Sequence, residues 1–493
     1  MKLLLQLIGF VFISFSSMAQ EFDTELYFEN GAIKTTKQQL DKKQTEQIHY
    51  FPDGAIRSKG IIKNDIYTSF EAFDEDGTVL ATIQMTNTLD EELYSIKKFH
   101  TNGKPLQHLT YIKDTNLVHT YLPTGVWTSY NSNGQLIEEV TYNPKLKQVD
   151  CFSTGTSYYN TGQKKVTLSF NYKTRRLTFE QFYPNGKTYL KAIFDYYILL
   201  GNYDDYVEKS KLLNLLRSPS LINNYFYKKE NAITFFKYSY PNGQTAFFKK
   251  EDLEKRYTLD GTILNSKDGY YSPNLEGFTK CTSTSKQKAC QAFYAETSQD
   301  RLNYIPKQGR YIVMADQLTK FTRVYDFSET QNGTITHYGF NKTPLQVMTY
   351  QSGQLHGLYK DIHEISGEVT LEGQYANGNK DGEFKTYSTF GELEFKENYT
   401  DGLKDGLYQY NGTVGDYWTT TFTSDIKNGE ATLRSTFTDE ILLLGACKND
   451  LKDGRWKKYS LDFERYYPNS VLDYGIDFDF FENGKLINEL SYY

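Results

Sequence analysis

With 493 residues, 55 Lys and Arg against 61 Asp and Glu, and a formal net charge of −6, the chain has no large field of either sign. It carries no basic stripe, which argues against nucleic acid as a partner. Hydrophobic residues make up 39%, low for a large globular core, while aromatics reach 16%, led by 43 Tyr and 33 Phe. Tyrosine suits a half-exposed pleated surface, because its ring packs while its hydroxyl stays wet.

Residues 1–19 read as a secretory signal. Lys2 supplies a positive start, Leu3 to Phe15 is a mostly apolar run too short to span a bilayer, and Ser16-Ser17-Met18-Ala19 offers small residues for cleavage after Ala19. The expectation is export to the periplasm, the cell surface or the medium. No cysteine lies near the cleavage site, so no lipid anchor is expected. No later apolar run reaches about 18 residues, so no transmembrane segment is expected in the mature chain.

From residue 20 to 200 a turn glycine returns at Gly31, Gly54, Gly77, Gly103, Gly134, Gly162 and Gly186, at intervals of 23, 23, 26, 31, 28 and 24. A fixed period in this range marks a stacked array whose units are too small to bury their own apolar faces. The unit reads strand, tight turn, strand, as in Phe51-Pro52-Asp53-Gly54-Ala55-Ile56. Asn-Gly and Asp-Gly predict type I′ turns.

Residues 201–335 break the pattern and read as an interruption between the arrays, with degraded repeats as the alternative. Asp204 to Leu216 reads as a short amphipathic helix ending near Ser218-Pro219. Turn signals resume at Pro241-Asn242-Gly243 and Asp260-Gly261, and Ser266 to Gln308 looks irregular. In an oxidising compartment, Cys281 and Cys290 have the spacing to close a small loop as a disulfide. Cys151 and Cys447 lie in strand-like segments, and sequence alone does not choose among the three pairings of four cysteines.

Residues 336–493 form a second array, with glycines at Gly357, Gly382, Gly406, Gly429 and Gly454, spaced 25, 24, 23 and 25 apart. Lys380-Asp381-Gly382-Glu383-Phe384 parallels Lys404-Asp405-Gly406-Leu407-Tyr408 and Lys452-Asp453-Gly454-Arg455-Trp456, and Thr124-Gly125-Val126-Trp127 has the same form in the first array. An aromatic stands two residues after each glycine, and usually another three residues later. In a regular strand those two rings fall on opposite faces, so either both faces carry rings or a bulge resets the register. The fold expected is all-β: an elongated array of β-hairpin repeats in two blocks with a short helical and irregular interruption.

These units resemble the MORN-repeat family, in the bacterial variant of the YwqK-type antitoxin family. Gln374-Tyr375-Ala376-Asn377-Gly378 leading to Gly382, Phe384 and Tyr387 carries the likeness, as does Tyr399-Thr400-Asp401-Gly402 leading to Gly406 and Tyr408. The likeness is good over about 350–460 and looser over 21–200. It implies a hairpin array used for interaction, with no catalytic residues to transfer. An antitoxin ordinarily meets its toxin in the cytoplasm, which sits against the export signal.

Motifs for chemistry are missing: no His-Glu-x-x-His, no Gly-x-Ser-x-Gly and no Walker-type loop occur. The seven histidines read as scattered surface residues, and Asp74-Glu75-Asp76-Gly77 as a turn rather than a cation site. No metal and no cofactor are expected. Trp127, Tyr130, Phe384, Tyr387, Tyr408, Trp456 and Tyr459 have two readings. Packing between stacked hairpins is favoured, and an exposed ring surface for sugars or a peptide is the alternative. The function expected is a non-enzymatic protein-binding scaffold in the cell envelope. The alternatives are a glycan- or peptidoglycan-binding module, an antitoxin-like partner of a toxin, and a hydrolase with its site in 201–335.

Overall fold

Tight turns at a near-constant interval force the chain into consecutive antiparallel hairpins, and neighbouring hairpins share their edges. A computed structural model of the chain describes residues 24–28, 30–64, 66–87, 92–113, 121–142, 152–171, 173–195, 215–217, 233–250, 253–257, 263–264, 275–281, 286–291, 308–313, 322–339, 343–411, 416–460 and 475–490. Within them lie two sheets. One has 19 strands, from Thr24–Tyr27 to Ile263–Leu264, and the other has 16, from Thr279–Cys281 to Lys485–Leu490. Each is a meander in which a strand pairs antiparallel with the next. There are two exceptions: Thr279–Cys281 lies parallel to Gly309–Val313, and Tyr121–Pro123 and Gly125–Tyr130 both pair with Pro105–Lys113 rather than with each other. The expected signal segment, 1–19, lies outside the described residues.

Two turn types close the hairpins, which corrects the single type expected from sequence; the second sheet uses both, since Ser328-Gln331 and Ser388-Gly391 repeat the corner of the first sheet. In the first sheet Gly54 donates its N–H to Phe51 O at 2.9 Å and Phe51 donates to Ala55 O at 2.8 Å. Gly54 has φ 91° while Asp53 is not among the positive-φ residues, so this is a type I turn closed by a left-handed glycine, not type I′. The Asp53 carboxylate accepts the Ala55 N–H at 3.0 Å and holds the corner. The same pair of backbone bonds recurs at the Gly77, Gly103, Gly134, Gly162, Gly186 and Gly243 turns. In the second sheet the turns at Ser352-Gly353, Asn377-Gly378, Asp401-Gly402, Ser424-Asp425, Asn449-Asp450 and Asn483-Gly484 have both central residues at positive φ, which is type I′.

Residues 201–335 take part in both sheets. Those that are described carry eight strands that extend both sheets, from Ile233–Ser239 to Gly333–Tyr338, and the sheets divide between residues 264 and 279. Enough alternating apolar residues survive there to pair with the adjoining strands. The expected helix is described only at 215–217, where Leu215 and Leu216 are buried against the first sheet.

Strand alternation sends one row of side chains inward. Leu177 and Phe179 from one strand, and Leu190, Ala192 and Phe194 from the next, share a buried cluster. The first residue of several four-residue turns also points inward: Phe51, Tyr159, Tyr183 and Tyr240 are buried. Three of these reach across to the next repeat. The hydroxyls of Tyr159, Tyr183 and Tyr240 donate to the carbonyls of Phe182, Ser239 and Tyr257 at 2.6, 2.7 and 2.8 Å.

The second sheet doubles back along the first in reverse repeat order. Asp74 meets Lys457 and Tyr459, and Glu75 meets Arg455. Ser132 donates to Asp439 at 2.7 Å, and Lys165 pairs with Glu392 at 2.7 Å. Tyr189 lies against His363 with ring centroids 6.5 Å apart. The first-sheet residue advances from 74 to 189 while its partner recedes from 459 to 363. Apolar contact fills the seam. Phe390 packs edge-on against Tyr159, Tyr183 and Tyr189 at 6.3, 5.7 and 5.0 Å, while Tyr459, Ile476 and Phe478 join the cluster around Phe51, Phe70 and Leu80.

Phe390→Ala removes the ring that three tyrosines close upon. Its expected cost is about 3 kcal/mol in denaturant unfolding, in the range for buried aromatic truncation. A loss below about 1 kcal/mol would mean that the seam contributes little to stability.

Candidate functional site: a ladder of rings and lysines

The recurring Lys-Asp-Gly unit acquires a physical meaning in the hairpin of Val369–Ala376 and Asn379–Tyr387. Pairing runs Ala376↔Asn379, Tyr375↔Lys380 and Gln374↔Asp381, then jumps to Glu372↔Lys385. Gly382, at φ 78°, supplies the left-handed step that makes this bulge. The jump sets the Phe384 ring over Gly373, where an added Cβ would lie only 2.4 Å from the ring. Beyond the bulge the strand alternates normally. Phe384 therefore faces Tyr375 and Tyr399, and Tyr387 faces the other way, donating its hydroxyl to Glu372 at 2.8 Å. Both alternatives left open by the sequence hold at once: a bulge is present, and both faces carry rings.

One face is a continuous ladder. Tyr359, Tyr375, Phe384, Tyr399, Tyr408 and Phe422 follow with centroid separations of 5.7, 5.5, 5.5, 6.3 and 5.1 Å. It breaks where Ala431 and Cys447 stand at ring positions, and resumes at Trp418, Trp456 and Phe481. A lysine covers it in four repeats. Lys380 sits over Phe384 and Tyr399 at 4.5 and 4.6 Å, and Lys404 over Tyr408 and Phe422 at 4.1 and 5.2 Å. Lys427 lies 5.1 Å from Tyr410, and Lys452 sits over Trp456 and Phe481 at 4.6 and 4.9 Å. A cation over a ring face contributes roughly 0.5–1 kcal/mol at exposed sites.

The backbone of the same lysines locks repeat to repeat. Their carbonyls, at Lys380, Lys404, Lys427 and Lys452, accept N–H groups from the next turn, at Gly402, Asp425, Asp450 and Gly484, at 2.8, 2.9, 3.1 and 3.0 Å. The Asp425 and Asp450 carboxylates accept the Lys404 and Lys427 N–H groups in return, at 2.7 and 2.9 Å.

The opposite face is charged. Lys360 pairs with Glu372 at 3.4 Å, and Glu383 pairs with Lys385 at 2.6 Å and with Lys396. The Tyr387 hydroxyl, ahead of Lys360, draws the Glu372 carboxyl below its usual range. On the ring face, burial and then the Asp361 charge push the Tyr359 hydroxyl up to about 12. Burial also raises Tyr399.

The residues singled out by sequence fall in several places. Phe384, Trp456 and Tyr459 are buried, while Trp127, Tyr130, Tyr387 and Tyr408 are half-buried. Tyr459 lies at the seam beside Asp74, and Trp127 stacks between Tyr111 and Tyr142 at 4.8 and 4.5 Å. Gly31, Gly54, Gly77, Gly103, Gly186, Gly382, Gly406 and Gly454 all have positive φ. Cys281 and Cys290 form a disulfide with Cα atoms 5.4 Å apart, Cys447 is a free half-buried thiol, and Cys151 lies outside the described residues.

The histidines require a correction, since His100 and His337 are buried rather than on the surface. His100 fills the turn position taken elsewhere by Tyr159 and Tyr183, and its Nε2 lies 3.1 Å from the Tyr130 carbonyl. That shared position was the available signal. The role of the lysines was also missed, though their recurrence two residues before Gly382, Gly406, Gly429 and Gly454 marks them. Among the described residues, no three His, Cys, Asp or Glu side chains are placed to hold a metal ion.

Residues 123–143 and 380–401 match the family model described as the MORN repeat variant. Their geometry agrees: Gly125 pairs with Tyr142 and Val126 with Thr141, as Gly382 pairs with Tyr399 and Glu383 with Asn398. A search of curated proteins returns no match. Among solved structures, one titled TcdB2-TccC3 aligns at 9% identity over 95% of this chain and 24% of that chain, with a TM-score of 0.10. A likeness at that score carries no structural argument.

Two outcomes are expected. Gly382→Val places a β-branched residue at positive φ and should cost roughly 1 kcal/mol or more in denaturant unfolding; an unchanged midpoint would remove the backbone role assigned to this glycine. The second concerns acid. Burial first, with Arg57 beside His49 and Arg323 beside His337, pushes both imidazoles down to about 4. The unfolded chain takes up those protons near pH 6.5, so between that value and about 4 it binds more protons than the folded chain. Stability should therefore be full above about pH 6.5 and fall with pH, by at most about 1.4 kcal/mol per pH unit for each histidine. Urea midpoints measured from pH 7.5 to 4.5 check this, and His49→Gln should flatten the slope.

Proposed function

We propose that this chain is an exported, non-enzymatic interaction scaffold of the cell envelope, presenting a long double array of hairpins to another protein. One observation carries the reading. The recurring residues (glycine, ring and lysine) are occupied in joining repeats, and the exposed positions between them vary from repeat to repeat. A regular frame with a variable surface is what a binding array requires. The match to the MORN repeat variant supports it, since such repeats in general mediate binding to proteins or membranes. Among the described residues no helix is long and apolar enough to cross a membrane. Export rests on the pattern of Lys2, the Leu3 to Phe15 run and Ala19.

The ladder favours a protein over a glycan as partner. Sugar stacking needs open ring faces, and Lys380, Lys404, Lys427 and Lys452 already cover them. A toxin as that partner is the finer form of the proposal, and it requires the two to meet outside the cytoplasm.

Photo-crosslinking groups placed at exposed positions of the second sheet in living cells should give one discrete protein adduct, with the mature chain in the envelope or medium. A cytosolic chain still carrying residues 1–19 would contradict export. Purified chain that hydrolyses an envelope polymer and yields no adduct would contradict the scaffold.

A further inference from the structure

The type I′ edge of the second sheet has a feature that the frame does not need. Leu403, Ile426 and Leu451 each follow a type I′ turn directly, and they are 44%, 42% and 46% exposed. Each pairs with the residue before its turn, at Thr400, Thr423 and Lys448. Each also stands one residue before the ladder lysine or directly ahead of it in sequence, so alternation turns it to the face opposite the rings. They therefore form a row across three consecutive repeats, flanked by Asn379 and Lys485 at the equivalent positions. Two strands per repeat at ~4.8 Å each give the row a pitch of about 10 Å.

The rim beside this row is acidic. Asp401, Asp425 and Asp450 sit exposed at the turn tips, and the lysines of the same repeats lie over the rings on the far side. Lys448 and, at the end of the row, Lys485 are the basic residues beside it. An aliphatic row with an acidic rim is complementary to an apolar row with basic flanks. The pitch selects the backbone that carries it. Residues seven apart on an α-helix rise about 10.5 Å, whereas same-face residues of an extended strand fall near 7 or 14 Å.

We infer that this edge docks a basic amphipathic helix of a partner protein, with apolar residues at heptad spacing on Leu403, Ile426 and Leu451 and basic residues against Asp401, Asp425 and Asp450. The inference rests on the scaffold reading and narrows it to one surface and one class of partner.

The test uses the full mature chain and a synthetic 21-residue helix-forming peptide with leucines at heptad spacing and flanking lysines, followed by fluorescence anisotropy. One control peptide has the same composition with the leucines off the heptad; another has the same charge on a proline-rich backbone, whose threefold turn also repeats near 9 Å. The heptad peptide should bind at least tenfold more tightly than either control. Leu403→Ser, Ile426→Ser and Leu451→Ser together should weaken it tenfold or more. Asp401→Asn, Asp425→Asn and Asp450→Asn, which keep the acceptor oxygens toward the Lys404 and Lys427 amides, should flatten its salt dependence. Should the serine variant not fold, the single exposed change Ile426→Lys should weaken binding by repulsion. Equal binding by a control peptide, or by the serine or lysine variant, would overturn the inference. A protein adduct still captured in cells would then leave the scaffold standing without this edge, whereas absence of any adduct would remove the scaffold itself.

Discussion

A type I′ turn leaves a backbone N–H at its tip that its own hairpin cannot satisfy, and in the second sheet the preceding repeat supplies the acceptor. Gly402, Asp425, Asp450 and Gly484 each donate to the carbonyl of a lysine one repeat back. A two-stranded hairpin alone is marginal in water, and an amide left without a partner makes it worse. The bond from turn to lysine therefore obliges repeats to come in series. The lysine, the bulge glycine and the ring stand together in the repeats of Gly382, Gly406 and Gly454. The glycine swings the strand, the ring covers the backbone thus exposed, and the lysine closes over the ring while its carbonyl receives the next turn.

The first sheet joins its repeats with side chains instead. Tyr159, Tyr183 and Tyr240 reach forward to carbonyls, and the Asn102 and Asn185 amides donate to Ser132 O and Pro241 O across neighbouring turns. Side-chain links tolerate variable spacing better than backbone links, which fits intervals of 23 to 31 in the first array against 23 to 25 in the second. Doubling the second array back over the first buries one face of each along a shared seam. The aliphatic row stands at the turn end of strands whose positions the ladder fixes.

The repetition was legible in the sequence because left-handed glycine is hard to replace, so the period survives where other residues drift. The turn type was misread in the first array although a signal existed. Pro52, Pro184 and Pro241 stand two residues before their glycines, and proline's fixed φ suits the second position of a type I turn. The seam was not legible. Ser132 and Asp439 are 307 residues apart, and each seam contact uses a residue that recurs in no repeat. The ring pattern was visible but its outcome was not, because the bulge at Gly382 depends on which residues pair across the hairpin. His100 was hidden by its chemistry, since it does by a ring nitrogen what its counterparts do by a hydroxyl.

Residue-resolved hydrogen exchange at the amides of Gly402, Asp425, Asp450 and Gly484 tests the dependence between repeats most directly. These groups sit at hairpin tips, where an isolated hairpin would release them within the dead time. If neighbouring repeats hold them, they should exchange slowly and together, with protection close to that of the strand amides beside them. Rapid, independent exchange at the four tips would contradict the account, for each hairpin would then be standing alone.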